Sequence, residues 1–164
     1  MRFFSFMFAV ALVTFAALFQ PTQLKAESGW FVQLPLTSVH WGDTDWYDFN
    51  SQNYGIGAGY TWERESGWDT SLSIAAYSDS YACDAVGVRL RRVYQVSEYV
   101  ALGGALHLTD KCTDPTSGNK TFAAPTASIV VDVTDRFAIA VDAAPAISDI
   151  SPVGFAAFSL EYEF

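Results

Sequence analysis

The sequence predicts an eight-stranded antiparallel transmembrane β-barrel of the bacterial outer membrane, preceded by a signal peptide. Three observations carry that reading. Segments of about ten residues alternate between large apolar and small or polar side chains, the period of a strand rather than a helix. The segments are even in number, and short turns between them alternate with longer loops. Aromatic residues sit at segment ends (Trp30, Trp62, Trp68, Tyr94 and Tyr99), where a membrane interface favours them. Composition agrees: the 164 residues are 51% hydrophobic, 16% aromatic and only 16% charged, against about 25% charged for ordinary soluble domains. This excludes disorder. A net charge of −9 argues against nucleic acid as a partner, because a phosphate backbone needs a basic footprint.

Residues 1–26 read as a secretory signal: Arg2, then an uncharged, mostly apolar run from Phe3 to Phe19, a break at Pro21, and a small residue, Ala26, before the expected cut. A membrane-anchoring helix is the alternative, but the run is at the short edge for spanning. The barrel is assigned to 27–164, with strands expected near 30–40, 53–63, 68–78, 82–94, 98–108, 121–132, 136–146 and 153–164. Within them Tyr54, Ile56, Ala58, Tyr60 and Trp62 oppose Gly55, Gly57, Gly59 and Thr61. Thr70, Leu72, Ile74 and Ala76 oppose Asp69, Ser71 and Ser73, and Val86, Val88 and Leu90 oppose Gly87, Arg89 and Arg91. Phe137, Ile139 and Val141 oppose Ala138, Ala140 and Asp142. Phe158, Leu160 and Tyr162 oppose Ser159, Glu161 and Glu163. A soluble sandwich or lipocalin-like barrel also alternates, but its outer face would be polar. An open sheet edge has no partners in hydrocarbon, so the strands must close on themselves.

The last residues, with Phe164 after Tyr162, Leu160 and Phe158, resemble the C-terminal signal read by the barrel-assembly machinery. With both termini periplasmic, the first, third, fifth and seventh connections face outward. That brings His40, Asp79 and Ser80 to the outer rim, together with Cys83 and Cys112, which an exported protein would join as one disulfide. A serine, a histidine and an acid at one rim form a nucleophile–base–orienter set in principle. By residue type alone the signal is weak, since Ser and Asp are also ordinary turn residues. His107 is expected to face the interior or an interfacial girdle, and Asp43, Asp45 and Asp48 to lie in a solvated first loop. No metal centre and no cofactor are expected.

Several segments resemble the outer-membrane lipid A palmitoyltransferases, the PagP type. Leu34-Pro35-Leu36-Thr37-Ser38-Val39-His40 is similar to that family's first strand. Asn50 to Trp62 is similar to its second, and Ala76-Tyr77-Ser78-Asp79-Ser80-Tyr81 to its aromatic-x-Asp-Ser-aromatic site. Ala124-Pro125-Thr126-Ala127-Ser128 and Ala144-Pro145-Ala146 resemble two further proline segments. The resemblance implies transfer of a palmitoyl-like chain from a glycerophospholipid donor to lipid A in the outer leaflet, by a monomeric barrel without a cofactor. It implies His40, Asp79 and Ser80 as catalytic positions, with Ser80 and His40 handling proton transfers and Asp79 orienting or balancing charge. Pro35, Pro125 and Pro145 would open gaps in the wall for lipid, because proline donates no ladder hydrogen bond. Gly87 and Arg89 would floor the acyl well. Two departures stand out. The family's N-terminal amphipathic helix has no counterpart between Glu27 and Trp30. Arg89 and Arg91 point inward, with Asp142, Glu161 and Glu163 as expected partners in an ionic plug, which would shorten the well. Two other readings stay open: a non-catalytic structural or adhesive barrel, and a lipid A deacylase or phospholipase-like hydrolase.

Overall fold

A computed structural model describes residues 28–45, 47–65, 67–112, 118–147 and 153–164. The expected signal at 1–26 lies outside them. Eight strands, β1 (Gly29–Gly42), β2 (Gly55–Glu65), β3 (Trp68–Ser78), β4 (Asp84–Gln95), β5 (Val100–Cys112), β6 (Asn119–Asp132), β7 (Phe137–Ala144) and β8 (Val153–Glu163), form an antiparallel barrel closed by β1 against β8. The expected segments coincide with these strands. β5 runs four residues beyond the expected Leu108, to Cys112. β7 stops at Ala144, so Pro145 follows the strand instead of interrupting it, a correction to its reading as a strand proline.

Period two sets which side chains face in. Outward residues form an exposed apolar band that includes Leu34, Leu36, Ile56, Leu72, Ile74, Val88, Leu90, Leu106, Leu108 and Ile129. An apolar surface of that extent matches lipid rather than water. At the end where β1 begins and β8 finishes, Trp30 packs on Tyr60, Trp68 on Tyr94, and Phe137 and Phe164 on Tyr162, with centroids 4.8–5.2 Å apart. These rings make an interfacial girdle. The molecule is therefore a transmembrane β-barrel of the outer-membrane kind.

Inside, the barrel has two halves. β2 lines the terminal half with glycine because β1 fills the space opposite: a Cβ on Gly57 would meet Gln33 Cγ at 2.8 Å, and one on Gly59 would collide with the Phe31 ring. Next to Gln33 stands a buried ionic network. Arg89 Nη1 donates to Asp142 Oδ2 at 3.0 Å, and Arg89 Nη2 to Glu161 Oε1 at 2.5 Å and Gln33 Oε1 at 2.8 Å. Arg91 donates to both Glu161 oxygens at 2.8 and 2.7 Å. The Ser128 hydroxyl donates to Asp142 Oδ1, and the Ser73 hydroxyl to Gln33. His107 Nε2 lies 3.5 Å from Asp142 Oδ2. Charge balance and multiple donors make such burial tolerable. Glu163, expected in the network, lies nearer the terminal mouth, beside Asp69 and Asp132.

Candidate active site

Above the network is a cavity of about 180 Å³. Its upper wall is mostly apolar or small (Pro35, Ala75, Tyr77, Gly87, Phe122, Ala124, Phe155 and Ala157), and Gln33, Arg89, His107 and Asp142 form its base. Gly87 and Arg89 thus line the same cavity, glycine on the wall and arginine at the base. His40, Asp79 and Ser80 line it at the outer end, with Lys111.

Each of the three is held by its own local chemistry. Asp79 follows the last residue of β3 and is 1% exposed. Its Oδ1 accepts from the backbone N–H of Tyr81 at 2.8 Å and of Cys83 at 2.9 Å, the side-chain-to-backbone closure for which aspartate is favoured in turns. Its N–H donates to the Cys83 carbonyl at 2.8 Å and its carbonyl accepts from Ala82 at 3.0 Å. Ala82 takes the left-handed conformation, at φ 59°, that this tight reversal needs. Cys83 and Cys112 are joined, tying the turn to the end of β5. The Asp79, Cys83 and Cys112 donor atoms approach one another, but both sulfurs are in the disulfide, so they form no metal centre.

Ser80 is buried, and its carbonyl accepts from the Asn50 N–H at 2.8 Å. The Asn50 amide also donates to the Asp79 carbonyl at 3.2 Å, so the first outer loop is pinned to the 79–83 turn. Aromatic rings complete the cap. His40 stacks on Phe49 at 4.6 Å and lies near Phe155 at 6.5 Å. Phe49 and Tyr47 pack on Tyr81, and the Lys111 ammonium sits 5.8 Å above the Tyr81 ring. No hydrogen bond joins His40 to Ser80 or Asp79, and the Asp79 carboxylate is engaged in its turn. Asp79 therefore shapes the loop that carries Ser80, where the sequence pattern pointed to a partner for the histidine.

The wall around this cavity is incomplete at two seams. β1 pairs with β2 only from Gly29 to Gln33. Contact resumes past the gap, where the Asn53 N–H donates to the Leu36 carbonyl at 3.1 Å and the Ser38 N–H to the Ser51 carbonyl at 3.0 Å. Pro35 sits in that gap, at a bulge in the β1–β8 register. On the other side, the β6–β7 ladder extends outward only to Ala127 and Ala143. Phe122, Ala124, Pro125 and Thr126 lie beyond it, while β5 still pairs with them. Pro125 itself points outward, opposite Leu106, and does not line the cavity.

Ser38 and Asn53 also line the cavity, and the sequence reading gave them no role. Ser38 and Asn53 are 5% and 7% exposed, and Ser38 Oγ and Asn53 Oδ1 have no hydrogen-bond partner. Ser38 was legible in principle, since it shares the inward face of β1 with His40.

No protein-family model matches the chain, and no curated protein matches it either. Solved structures similar to it include the Yersinia pestis outer membrane protein Ail in a phospholipid bilayer nanodisc, at 19% identity. That match covers 84% of this chain and 100% of Ail, with a TM-score of 0.49. A crystal structure of Ail, the attachment invasion locus protein of Yersinia pestis, is 16% identical over 84% and 99%, with a TM-score of 0.47. The N-terminal β-barrel domain of Pseudomonas aeruginosa OprF is 11% identical over 84% and 98%, with a TM-score of 0.49. Likeness at this level says nothing of what the chain does.

Proposed function

We propose that this barrel is an outer-leaflet acyltransferase that moves a fatty acyl chain shorter than palmitate from a glycerophospholipid to lipid A. The observation that carries the reading is a floored, apolar-walled cavity with His40 and Ser80 at its outer end and unpaired wall on both sides. Pro35, Phe122 and Ala124 belong both to the cavity lining and to the seams, so an acyl chain in the membrane has a short lateral way in. Size supports a short chain. A cavity of about 150 Å³ holds a benzene ring, and this one, at about 180 Å³, is little larger because the Arg89–Asp142 pair closes it from below.

The chemistry is ester exchange. The acceptor hydroxyl attacks the ester carbonyl carbon of the donor. His40 takes the hydroxyl proton and returns it to the glycerol oxygen as the original acyl–oxygen bond breaks. The products are acylated lipid A and a lysophospholipid. Ser80 supplies a hydroxyl hydrogen bond to the carbonyl oxygen as charge builds there. Catalytic hydrogen bonds often tighten only on substrate binding.

Mass spectrometry of lipid A from cells expressing the protein tests this, beside Ser80→Ala and His40→Ala. A gain of one acyl chain, absent in both variants, supports transfer and gives the chain length. A mass loss indicates a hydrolase. An unchanged lipid A, with the barrel folded in the outer membrane, supports the second reading, a non-catalytic structural or adhesive barrel. That reading is favoured by one observation: Asp79 is committed to its turn and His40 to a stack on Phe49, which leaves no joined catalytic set.

A further inference from the structure

We infer that Ser38 and Asn53 form the subsite that receives the hydroxyl of the acyl acceptor; the inference rests on the acyltransferase reading above. Buried polar atoms nearly always have partners. Ser38 Oγ and Asn53 Oδ1 do not, and both belong to residues lining the same cavity. The Asn53 amide is fixed in orientation, because its Nδ2 donates to the Ser78 carbonyl at 3.1 Å. Its free end is therefore an acceptor that calls for a hydrogen-bond donor. Ser38 adds a hydroxyl that both donates and accepts. Together they fit an uncharged hydroxyl, which gives its hydrogen to Asn53 Oδ1 and accepts from Ser38. An anion would face the amide oxygen with no proton to offer it.

The position suits a nucleophile. Ser38 lies two residues before His40 on the same inward face of β1, about 7 Å along the strand. Asn53 is anchored to Ser78, two residues before Ser80. Both also flank the gap beside Pro35, where the Asn53 N–H holds the Leu36 carbonyl. A hydroxyl held here stands beside the histidine that must take its proton.

The partition between transfer and hydrolysis tests the assignment. The refolded full-length barrel in detergent micelles is given a diacyl phosphatidylethanolamine labelled in its acyl chains, with purified lipid A as acceptor. Labelled lipid A reports transfer. Labelled free fatty acid reports hydrolysis, in which water's oxygen joins the acyl carbon and its proton goes to the glycerol oxygen. Ser38→Ala is expected to lower the transfer-to-hydrolysis ratio about tenfold, the effect of one lost hydrogen bond to the nucleophile. The variant should keep, or slightly raise, the urea midpoint, because it removes only an unpartnered hydroxyl. Asn53→Leu is expected to shift the ratio the same way; it also loses the bond to Ser78, so Ser38→Ala decides if it fails to fold. An unchanged ratio in Ser38→Ala, or a parallel fall of both products, overturns the subsite while leaving the acyltransferase intact. A folded wild-type barrel that yields neither product overturns both.

Discussion

The terminal and outer halves of the barrel interior solve opposite problems. In the terminal half, the guanidinium ends of Arg89 and Arg91 pair with Asp142 and Glu161 while both Nε atoms lack partners, and Phe31 and Gln33 press into the space left by the β2 glycines. In the outer half the wall is mostly apolar or small and encloses open space, the β1–β2 and β6–β7 ladders lapse, and two uncharged polar atoms, Ser38 Oγ and Asn53 Oδ1, remain without partners. Charge pairing and continuous ladders mark the part that holds the fold. Their absence, in a molecule that manages both a few residues away, marks the part available to a ligand.

The largest expected effect breaks the terminal half. Glu161→Ala leaves Arg91 without its bidentate partner and Arg89 with one carboxylate fewer, so it should cost about 3–5 kcal/mol. This would be measured as a lower urea midpoint and loss of the folded gel mobility; a wild-type midpoint would show that the network carries no stability. Next is the staple between the halves of the outer rim. Cys83→Ala with Cys112→Ala should cost about 2–4 kcal/mol and should reduce activity as well, because the Asp79–Cys83 turn loses its tie to β5. Retention of full activity by that double variant would separate the turn from the chemistry.

Two smaller changes sharpen the contrast. Arg89→Ala with Asp142→Ala removes a matched pair and leaves Glu161 on Arg91. A cost of about 1–3 kcal/mol is expected, with a longer transferred chain in the lipid A mass spectrum because the well deepens. An unchanged chain length would mean that the pair is not the floor. Asp79→Asn keeps an oxygen for the Tyr81 and Cys83 N–H groups and should cost about 1 kcal/mol with little loss of turnover. A large fall in turnover at wild-type stability would restore a charge role for Asp79.

Period two made much of this legible. The inward parity of Arg89, Arg91, Asp142 and Glu161 follows from the same alternation that defined the strands, so the ionic plug is legible in the sequence. The disulfide followed from reading the chain as exported, and the strand count allowed it by putting Cys83 and Cys112 at one rim. The rest depends on geometry that no period encodes. Whether Asp79 faces its own turn or His40 is settled by backbone angles between Asp79 and Cys83. The stacking of Phe49 on His40 depends on where the first loop folds back. The limit of the β6–β7 ladder reflects the early end of β7 at Ala144, one residue before a proline that reads equally well as inside a strand. The β1–β2 gap likewise depends on a bulge at Pro35, and a bulge shifts parity only after it has occurred.

The ionic plug has a consequence for the cell as well as for the fold. An envelope barrel whose side wall admits lipid risks becoming a leak, since any passage that continued to the other mouth would let solutes cross. Arg89, Arg91, Asp142 and Glu161 cross the lumen below the cavity, so the outer half can stay unsealed toward the bilayer while the plug stands between the cavity and the terminal mouth.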